Sequence, residues 1–416
     1  MTERLYYADS YQYSFDATVL EITSIGERQA ILLDKSCFYP TSGGQPHDLG
    51  VLTYNGISIP IIDVAGNSGE AVSHFHNQSL ADSGLAVGSQ IKGEIEWSRR
   101  YDHMQQHSAQ HLLSHTFLTC FGYETISVHF GATESTIDLE SAAAQKQNLT
   151  AEQLADAEAY ANDVVYRNIP IQAYFVDDAQ LAQLPVRRPP KVSGMIRIVE
   201  VDRLDYSACG GTHCKQSGEL GPIKIVKQEK QKGHVRLTFL AGKRALLDYQ
   251  RKHRIGHQIA GILSNELDQT PELLTSLLEQ NRTYSKRIGQ LNQQLLSFHA
   301  AEIQQQAEQM GDWKVVSQIV TDYSVEDAKQ LASMLQKYEG TIALLALPSG
   351  EKCTLIFAGS EEISLHMGNL LKETLAEFGG GGGGRADFAQ GGGTSSTNAA
   401  PMLKFALARV RAQVCG

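Results

Sequence analysis

The stretch HSAQH, residues 107 to 111, sets two histidines four residues apart. The surrounding run RRYDHMQQHSAQHLLSHTFLTCFG has no Pro and no Gly before Gly122, and Leu112, Leu113, Phe117 and Leu118 follow a helical apolar spacing. On a helix, positions i and i+4 lie one turn apart on one face, so His107 and His111 can point at one ion. His103 and His115 extend the series, but each four-residue step drifts about 40° around the helix, so four histidines cannot converge. At most one adjacent pair binds a metal, and the spacing does not choose it. Without a second half-site the pattern is only a histidine-rich helix face.

A second half-site is present in DRLDYSACGGTHCKQSGELGPIKIVK, residues 202 to 227. Cys209 and His213 are separated by Gly-Gly-Thr, which favours a tight turn that brings thiolate and imidazole together. Zinc accepts mixed nitrogen and sulfur ligands in a tetrahedron. Cys214 is the spare thiol. A closed four-ligand site is normally structural, whereas catalytic zinc keeps a position open. HSAQH also lacks the Glu of a zinc peptidase motif such as HExxH.

HSAQHLL and CGGTHC, in this order about one hundred residues apart, resemble the zinc-binding motifs of the alanyl-tRNA synthetase editing domain and its free-standing relatives, the alanyl-tRNA editing proteins. The threonyl-tRNA synthetase editing domain is similar in outline. The resemblance implies His107, His111, Cys209 and His213 as the zinc ligands and leaves His103 and His115 without a ligand role. ELGPIKI, residues 219 to 225, resembles the strand that follows the second motif. FYPTSGGQPHDLG, residues 38 to 50, resembles the glycine-containing loop of the β-barrel that precedes the editing domain. GGGGGGRADFAQGGG, residues 379 to 393, resembles the signature of the synthetase's C-terminal domain, which is shared with DHH-type phosphoesterases. No Asp-His-His motif accompanies it, and there is no room for an aminoacylation domain.

The implied activity is hydrolysis in trans of mischarged tRNA for alanine, seryl-tRNA first and glycyl-tRNA second. Family placement of polar side chains on the strand ISVHFGA makes Ser127 the candidate serine-sensing group and His129 the second choice. Thr41, Ser42 and Gln45 are expected to close over the site, because Gly43 and Gly44 let backbone approach a ligand. No Ser-His-Asp triad or Glu base stands in either motif. Gly381, Gly382, Gly383 and Gly384 with Arg385 are the candidate tRNA contacts, with backbone N–H groups for phosphate and Phe388 to pack or stack. Two other readings compete: a noncatalytic tRNA-binding or assembly protein with structural zinc, and a threonyl-tRNA-type editing deacylase.

The elements that must position these residues give an α+β multidomain chain. Residues 1–93 alternate short apolar stretches (ATVLEI, QAILLD, ISIPIIDV, SQIKGEIEW) with turn residues, as in a small β-barrel. Residues 94–245 mix helices at 99–121 and 150–168 with strands, forming the α+β editing domain. Residues 246–311 are expected to be a helical coiled-coil linker. In it Thr270 caps, Pro271 takes the first turn, and Leu274, Leu277, Asn281, Tyr284, Ile288, Leu291, Leu295 and Phe298 form a seam. That seam pairs with the preceding helix or with a second subunit. Residues 312–416 read as a C-terminal α/β domain, which offers a second route to a homodimer.

The chain's 416 residues, 42% of them hydrophobic and 20% charged, indicate a globular protein of several domains. The longest apolar runs, such as IALLAL (342 to 347), are too short to span a bilayer, and MTERLYYADS has no signal-type apolar segment. Six cysteines without regular spacing fit a reducing cytoplasm. The net charge of −10 opposes indiscriminate nucleic-acid binding, yet Lys224 to Arg254 carries ten Lys or Arg against Glu229 and Asp248. That local +8 suits phosphates or a solvated charged face.

Overall fold

The computed structural model describes residues 1–416 except 67–70, 81–82, 142–148, 191–192, 232 and 415–416. The chain divides into two compact units, Met1–Ile262 and Leu263–Gly416. The first unit contains both metal motifs and the residues read as barrel.

Strands β1 (Ser14–Ile25), β2 (Arg28–Leu33), β3 (Gly50–Tyr54), β4 (Ile57–Ile61), β5 (Asp63–Ala65), β6 (Ser73–His76) and β7 (Gln90–Ile95) form one antiparallel sheet. Its order is β4-β3-β7-β1-β2-β6-β5. Phe15, Ile31, Leu52, Ile59, Val64 and Ile91, from six of the seven strands, meet in a single core, as the period-2 patterning requires. The sheet therefore curls round that core. No described ladder joins β4 to β5, so strand pairing does not close it into the expected barrel. Pro60 lies on β4, an edge strand, where its missing N–H breaks no interior ladder.

His74 on β6 is fully buried in this core. Its Nδ1–H donates to the Ile31 carbonyl (2.9 Å), and its Nε2 lies 2.7 Å from the Ser36 hydroxyl. Burial holds its pKa down to about 4, against about 6.5 in an open chain. The folded state thus binds this proton less readily than the unfolded state. The associated stability is complete above about pH 6.5 and is lost as pH falls toward 4, amounting to roughly 3 kcal/mol. Urea unfolding of wild type and His74→Leu at pH 7 and pH 4.5 checks this: the variant, although weaker at pH 7, should lose less on acidification.

Helix α1 (Trp97–Phe121) follows β7 directly and ends on Gly122, which takes the left-handed conformation that caps a helix C-terminus. A four-stranded antiparallel sheet packs on it. Its strands are β8 (Tyr123–Phe130), β9 (Ser135–Ser141), β13 (Ile223–Lys230) and β14 (Val235–Ala241), in the order β8-β9-β14-β13. Helix α2 (Ala151–Arg167) begins in a capping box between Thr150 and Gln153. A three-stranded sheet of β10 (Ile171–Val176), β11 (Ile196–Val201) and β12 (Asp205–Ala208) leads into the CGGTHC turn. Leu112, Leu113 and Phe117 of α1 share one core with Ile137, Val164, Val199 and Phe239. Helix α3 (Lys243–Leu263) follows β14 and is exposed along most of its length.

The basic stretch is not a +8 surface. Lys224 pairs with Glu158, Arg236 with Asp138, Arg244 with Asp102, Lys227 with Glu229 and Lys252 with Asp248. Three of these acids come from outside the stretch, so the charge read along the chain is compensated in part in space. Lys232 lies outside the described residues.

In the second unit, α4 (Thr270–Gln305) carries Pro271 in its first turn. Thr270 is not its N-cap. A 3₁₀ turn, Leu267–Gln269, runs into the helix, and the Thr270 hydroxyl donates back to the Glu266 carbonyl (3.0 Å). Leu295 and Phe298 are exposed, while Leu296, Ala300 and Ile303 are buried, because there the helix packs on the adjoining α/β layer. The seam residues Leu277, Tyr284 and Ile288 are exposed.

That layer is a six-stranded sheet of β15 (Glu308–Met310), β16 (Trp313–Ile319), β17 (Thr341–Ser349), β18 (Lys352–Gly359), β19 (Gly381–Gly384) and β20 (Phe388–Ser395), in the order β15-β16-β17-β18-β20-β19. It is flanked by α5 (Val325–Leu335), α6 (Met367–Glu377) and α7 (Ala399–Val414). Among the described residues, no helix is long and apolar enough to cross a membrane.

A candidate metal centre at the foot of a cleft

His107 and His111 sit one turn apart in the middle of α1, and Cys209 and His213 follow β12. One nitrogen or sulfur from each lies within 4.8 Å of all the others, and the group is largely buried. Cys209 Sγ is 3.4 Å from Nε2 of His107 and 3.4 Å from Nε2 of His213. His103 is buried elsewhere on the helix, and His115 packs near Tyr160. Cys214 is buried in the hydrophobic core, which pushes its thiol pKa up.

Each imidazole is held from behind. His107 Nδ1–H donates to Gln45 Oε1 (2.9 Å), His111 Nδ1–H donates to Asp205 Oδ2 (3.3 Å), and His213 Nδ1 lies 3.2 Å from the Ser108 hydroxyl. Engaging Nδ1 leaves Nε2 for a metal and fixes the ring, the usual outer arrangement of metal-ligating histidines. Asp205 is in turn held by Arg187 (3.1 Å) and by the Ser207 hydroxyl (2.8 Å). Burial opposes ionisation of Cys209, but the charges of His107 and His213 hold its pKa well below the usual thiol value. Burial likewise opposes protonation of His111, but Asp205 and the Cys209 thiolate raise its pKa to about 9. Three imidazoles with fixed rings and a ready thiolate form a donor set that suits a divalent, borderline-soft cation.

Two of these supports were not read from the sequence. Asp205 stands four residues before Cys209 in the run that carries the motif, and the rule that a ligating histidine needs an outer carboxylate is the signal that would have found it. Ser108 lies inside HSAQH itself. Asp205→Asn should weaken metal affinity by about 10- to 100-fold while retaining a hydrogen-bond acceptor for His111. Competition against a chromophoric chelator measures the change.

The metal group opens onto a cleft of about 440 Å³. Ser127 of β8 lines it and is exposed to it, and Ser42 and Gly43 of the SGGQ loop line it from the curled sheet. The loop is pinned to β8 by a hydrogen bond from Phe130 N–H to the Gly44 carbonyl (3.3 Å). Gly44 has φ +84°, and a Cβ there would come within 3.0 Å of the Val128 carbonyl oxygen. His129 does not line the cleft, and Thr41 turns away to His47. Gln45 faces the protein and not the cleft: it is fully buried, its Nε2 donating to the Thr212 hydroxyl (2.8 Å) and its Oε1 accepting from Thr212 N–H (3.1 Å) and His107. Its place is that of a positioning residue.

Gly381 to Gly384 form strand β19 at the sheet edge, paired with Gln390, Gly391 and Gly392 among others on β20. A Cβ on Gly382 would meet Gly391 Cα at 2.5 Å, and one on Gly391 would meet the Leu375 side chain at 2.4 Å, so close packing against α6 requires glycine. Backbone N–H groups of Met367 and Gly368 at the start of α6 donate to Ala386 and Arg385 carbonyls. Arg385 is exposed beside Asp387 (3.3 Å), and Phe388 is half-buried. The run is thus a packed edge strand and not a phosphate-cradling loop.

Residues 196–238 match the threonyl and alanyl tRNA synthetase second additional domain, residues 8–99 match the tRNA synthetases class II (A) family, and residues 312–412 match the DHHA1 domain. The alanyl-tRNA editing protein AlaX-L of Pyrococcus horikoshii is 29% identical over 94% of both chains. An alanine–tRNA ligase of Methanobrevibacter smithii is 28% identical over 98% of this chain, which spans 45% of that longer protein. The C-Ala domain from Aquifex aeolicus alanyl-tRNA synthetase aligns with 26% of this chain and 98% of its own at 28% identity and a TM-score of 0.24. The resemblance carried by HSAQHLL and CGGTHC therefore extends along nearly the whole chain.

Proposed function

We propose, from a likeness that covers 94% of an alanyl-tRNA editing protein, that this chain is a trans-editing hydrolase that removes serine, and secondarily glycine, from mischarged tRNA for alanine. The observation that carries the reading is the convergence of His107, His111, Cys209 and His213 at the foot of a cleft roomy enough for an aminoacyl end. In this reading residues 1–93, 94–245, 246–311 and 312–416 serve as loop-bearing domain, editing domain, helical linker and tRNA-binding domain. Arg385 with the Gly381–Gly384 edge strand is retained there as a tRNA contact through side chain and strand edge.

The need for such an activity is physical. A pocket sized for alanine rejects an added hydroxyl or a missing methyl by only about 10- to 200-fold, so a second site must correct the errors. A second site that hydrogen-bonds the serine hydroxyl leaves polar groups unpaired when alanine enters, which is worth up to about 10⁴ in discrimination. Ser127 is the group proposed for that contact.

The four side chains are proposed to hold zinc, whose nitrogen and sulfur preferences they match; bound there, it supplies Lewis-acid polarisation in the cleft. Gln45, Asp205 and Ser108 keep the three imidazoles oriented. Ser42 and Gly43 narrow the cleft from above, while Leu118, Ile126 and Val128 line its apolar wall. In the reaction, water adds to the acyl carbon, the ester bond to the terminal ribose oxygen breaks, and the departing oxygen takes a proton. Free serine and uncharged tRNA result. No residue of the chain is assigned as general base.

The test is deacylation of seryl-tRNA and alanyl-tRNA for alanine by wild type and His107→Ala. Wild type should release serine and spare alanine, and His107→Ala should be slower by at least about a hundredfold. Chelation that stops hydrolysis while circular dichroism and tRNA binding persist supports a catalytic metal; unfolding on chelation supports a structural one. A folded, zinc-loaded protein that hydrolyses neither substrate removes the editing reading.

A further inference from the structure

A second cleft, of about 340 Å³, adjoins the CGGTHC turn. The first half of the turn, Cys209 to Gly211, lines the metal cleft, whereas His213, Cys214 and Lys215 line this one together with Tyr7, Tyr174 and Arg197. Its walls are the one-turn helix Leu5–Ala8 with the residues after it and the outer strand β10.

Arg197 on β11 is only 7% exposed. Nη1 donates to the carbonyls of Cys209 (2.9 Å) and Gly211 (2.8 Å), so it braces the turn from below. Among the described residues no carboxylate pairs with it, and Nε is buried without a partner. The Cys209 thiolate supplies its counter-charge, but a buried donor without a hydrogen-bond partner is itself costly. The free Nε–Nη2 edge is the fork that takes an anion through two parallel hydrogen bonds. The Tyr7 ring lies 5.4 Å from the Arg197 guanidinium carbon, and Lys215 Nζ lies 4.4 Å from the Tyr11 ring centre. Lys215 pairs with Asp9 at 3.1 Å, both well exposed, and such pairs are weak enough to exchange for a better anion. Asp9 is the one carboxylate on a wall that holds two cations.

We propose that this cleft binds a nucleoside monophosphate unit, its phosphate on Arg197 and Lys215 and its base against Tyr7. The unit belongs either to an RNA strand or to a free nucleotide. The chemistry is that of single-strand recognition, a basic groove with aromatic faces that accept any base. The inference stands on the cleft and does not require the editing activity.

Calorimetric titration of the full, zinc-loaded chain with guanosine 5′-monophosphate, guanosine and inorganic phosphate tests it. The monophosphate should bind saturably, and guanosine and phosphate alone more weakly. Lys215→Ala and Tyr7→Leu should each weaken the monophosphate about tenfold, as loss of one phosphate or one stacking contact implies, with zinc content and fold unchanged. Ser127→Ala in the metal cleft should leave it unaltered. Displacement by a hairpin RNA ending in CCA assigns the unit to an RNA strand, and retention assigns it to a free nucleotide. Absence of saturable binding, indifference to both variants, or sensitivity to Ser127→Ala overturns the proposal.

Discussion

Gly211→Ala is expected to strip the metal from the protein and to lower seryl-tRNA hydrolysis by at least about a hundredfold, whereas Gly210→Ala next to it should change neither appreciably. A Cβ on Gly211 would stand 2.2 Å from His107 Cε1, 2.4 Å from its Nδ1 and 3.1 Å from Gln45 Oε1. All three atoms belong to the groups that aim His107, so relief requires moving a ligand. A Cβ on Gly210 would meet only Tyr7, at 3.5 Å, an ordinary contact. Neither glycine has positive φ, so the contrast is one of space and not of backbone strain. Metal analysis of the purified variants and their deacylation rates decide it. Equal metal content in the two variants would mean that the turn is looser than described.

Asp48→Ala should destabilise the first unit by about 3–5 kcal/mol, the usual cost of removing one partner of a buried ion pair. Arg100 and Asp48 are both fully buried. Arg100 Nε donates to both Asp48 oxygens (3.1 Å each), and its other nitrogens reach the carbonyls of Ser10 (2.9 Å) and Cys37 (2.5 Å). Asp48 also accepts from Tyr39 N–H at 2.7 Å. The pair therefore ties both ends of the loop containing Ser42 to Gln45 to the first turn of α1, two turns before His107. Denaturant unfolding of wild type, Asp48→Ala and the double variant Asp48→Leu/Arg100→Met measures the effect. The double variant should recover much of the loss, because it leaves no orphaned charge. If the single variant unfolds like wild type, the pair is not the clamp described.

Features that depend on neighbours along the chain are legible in the sequence. Helix α1 was expected over 99–121 and spans Trp97–Phe121; the i,i+4 histidines and the Gly-Gly turn are local devices whose geometry follows from backbone dihedrals. Gln45 was anticipated near the site, yet as a group closing over it and not as a buried prop for His107. The seam residues of α4, Leu295 and Phe298 among them, are exposed, and what the helix buries near its end, Leu296, Ala300 and Ile303, is set by the layer it meets there, which no period within the helix announces. The six glycines from 379 to 384 were read as backbone N–H groups for phosphate; contacts with α6 and β20 made part of the run a strand.

By itself, then, the sequence offered the candidate donor types, two half-sites and the helix and turn that carry each, since these depend on spacings of four residues, while the choice of His107 and His111 among four histidines came from the family resemblance. Only the tertiary structure decided what stands behind the ligands. Gln45, Asp205 and Ser108 reach His107, His111 and His213 across 62, 94 and 105 residues of chain. The tertiary structure also decided that Gly211 and not Gly210 must lack a side chain, and which cations between Lys224 and Arg254 pair with acids from elsewhere in the chain. The reason is the same in each case: hydrogen bonds, close approach and charge pairing act over a few ångströms in space, and separation along the chain does not specify that distance.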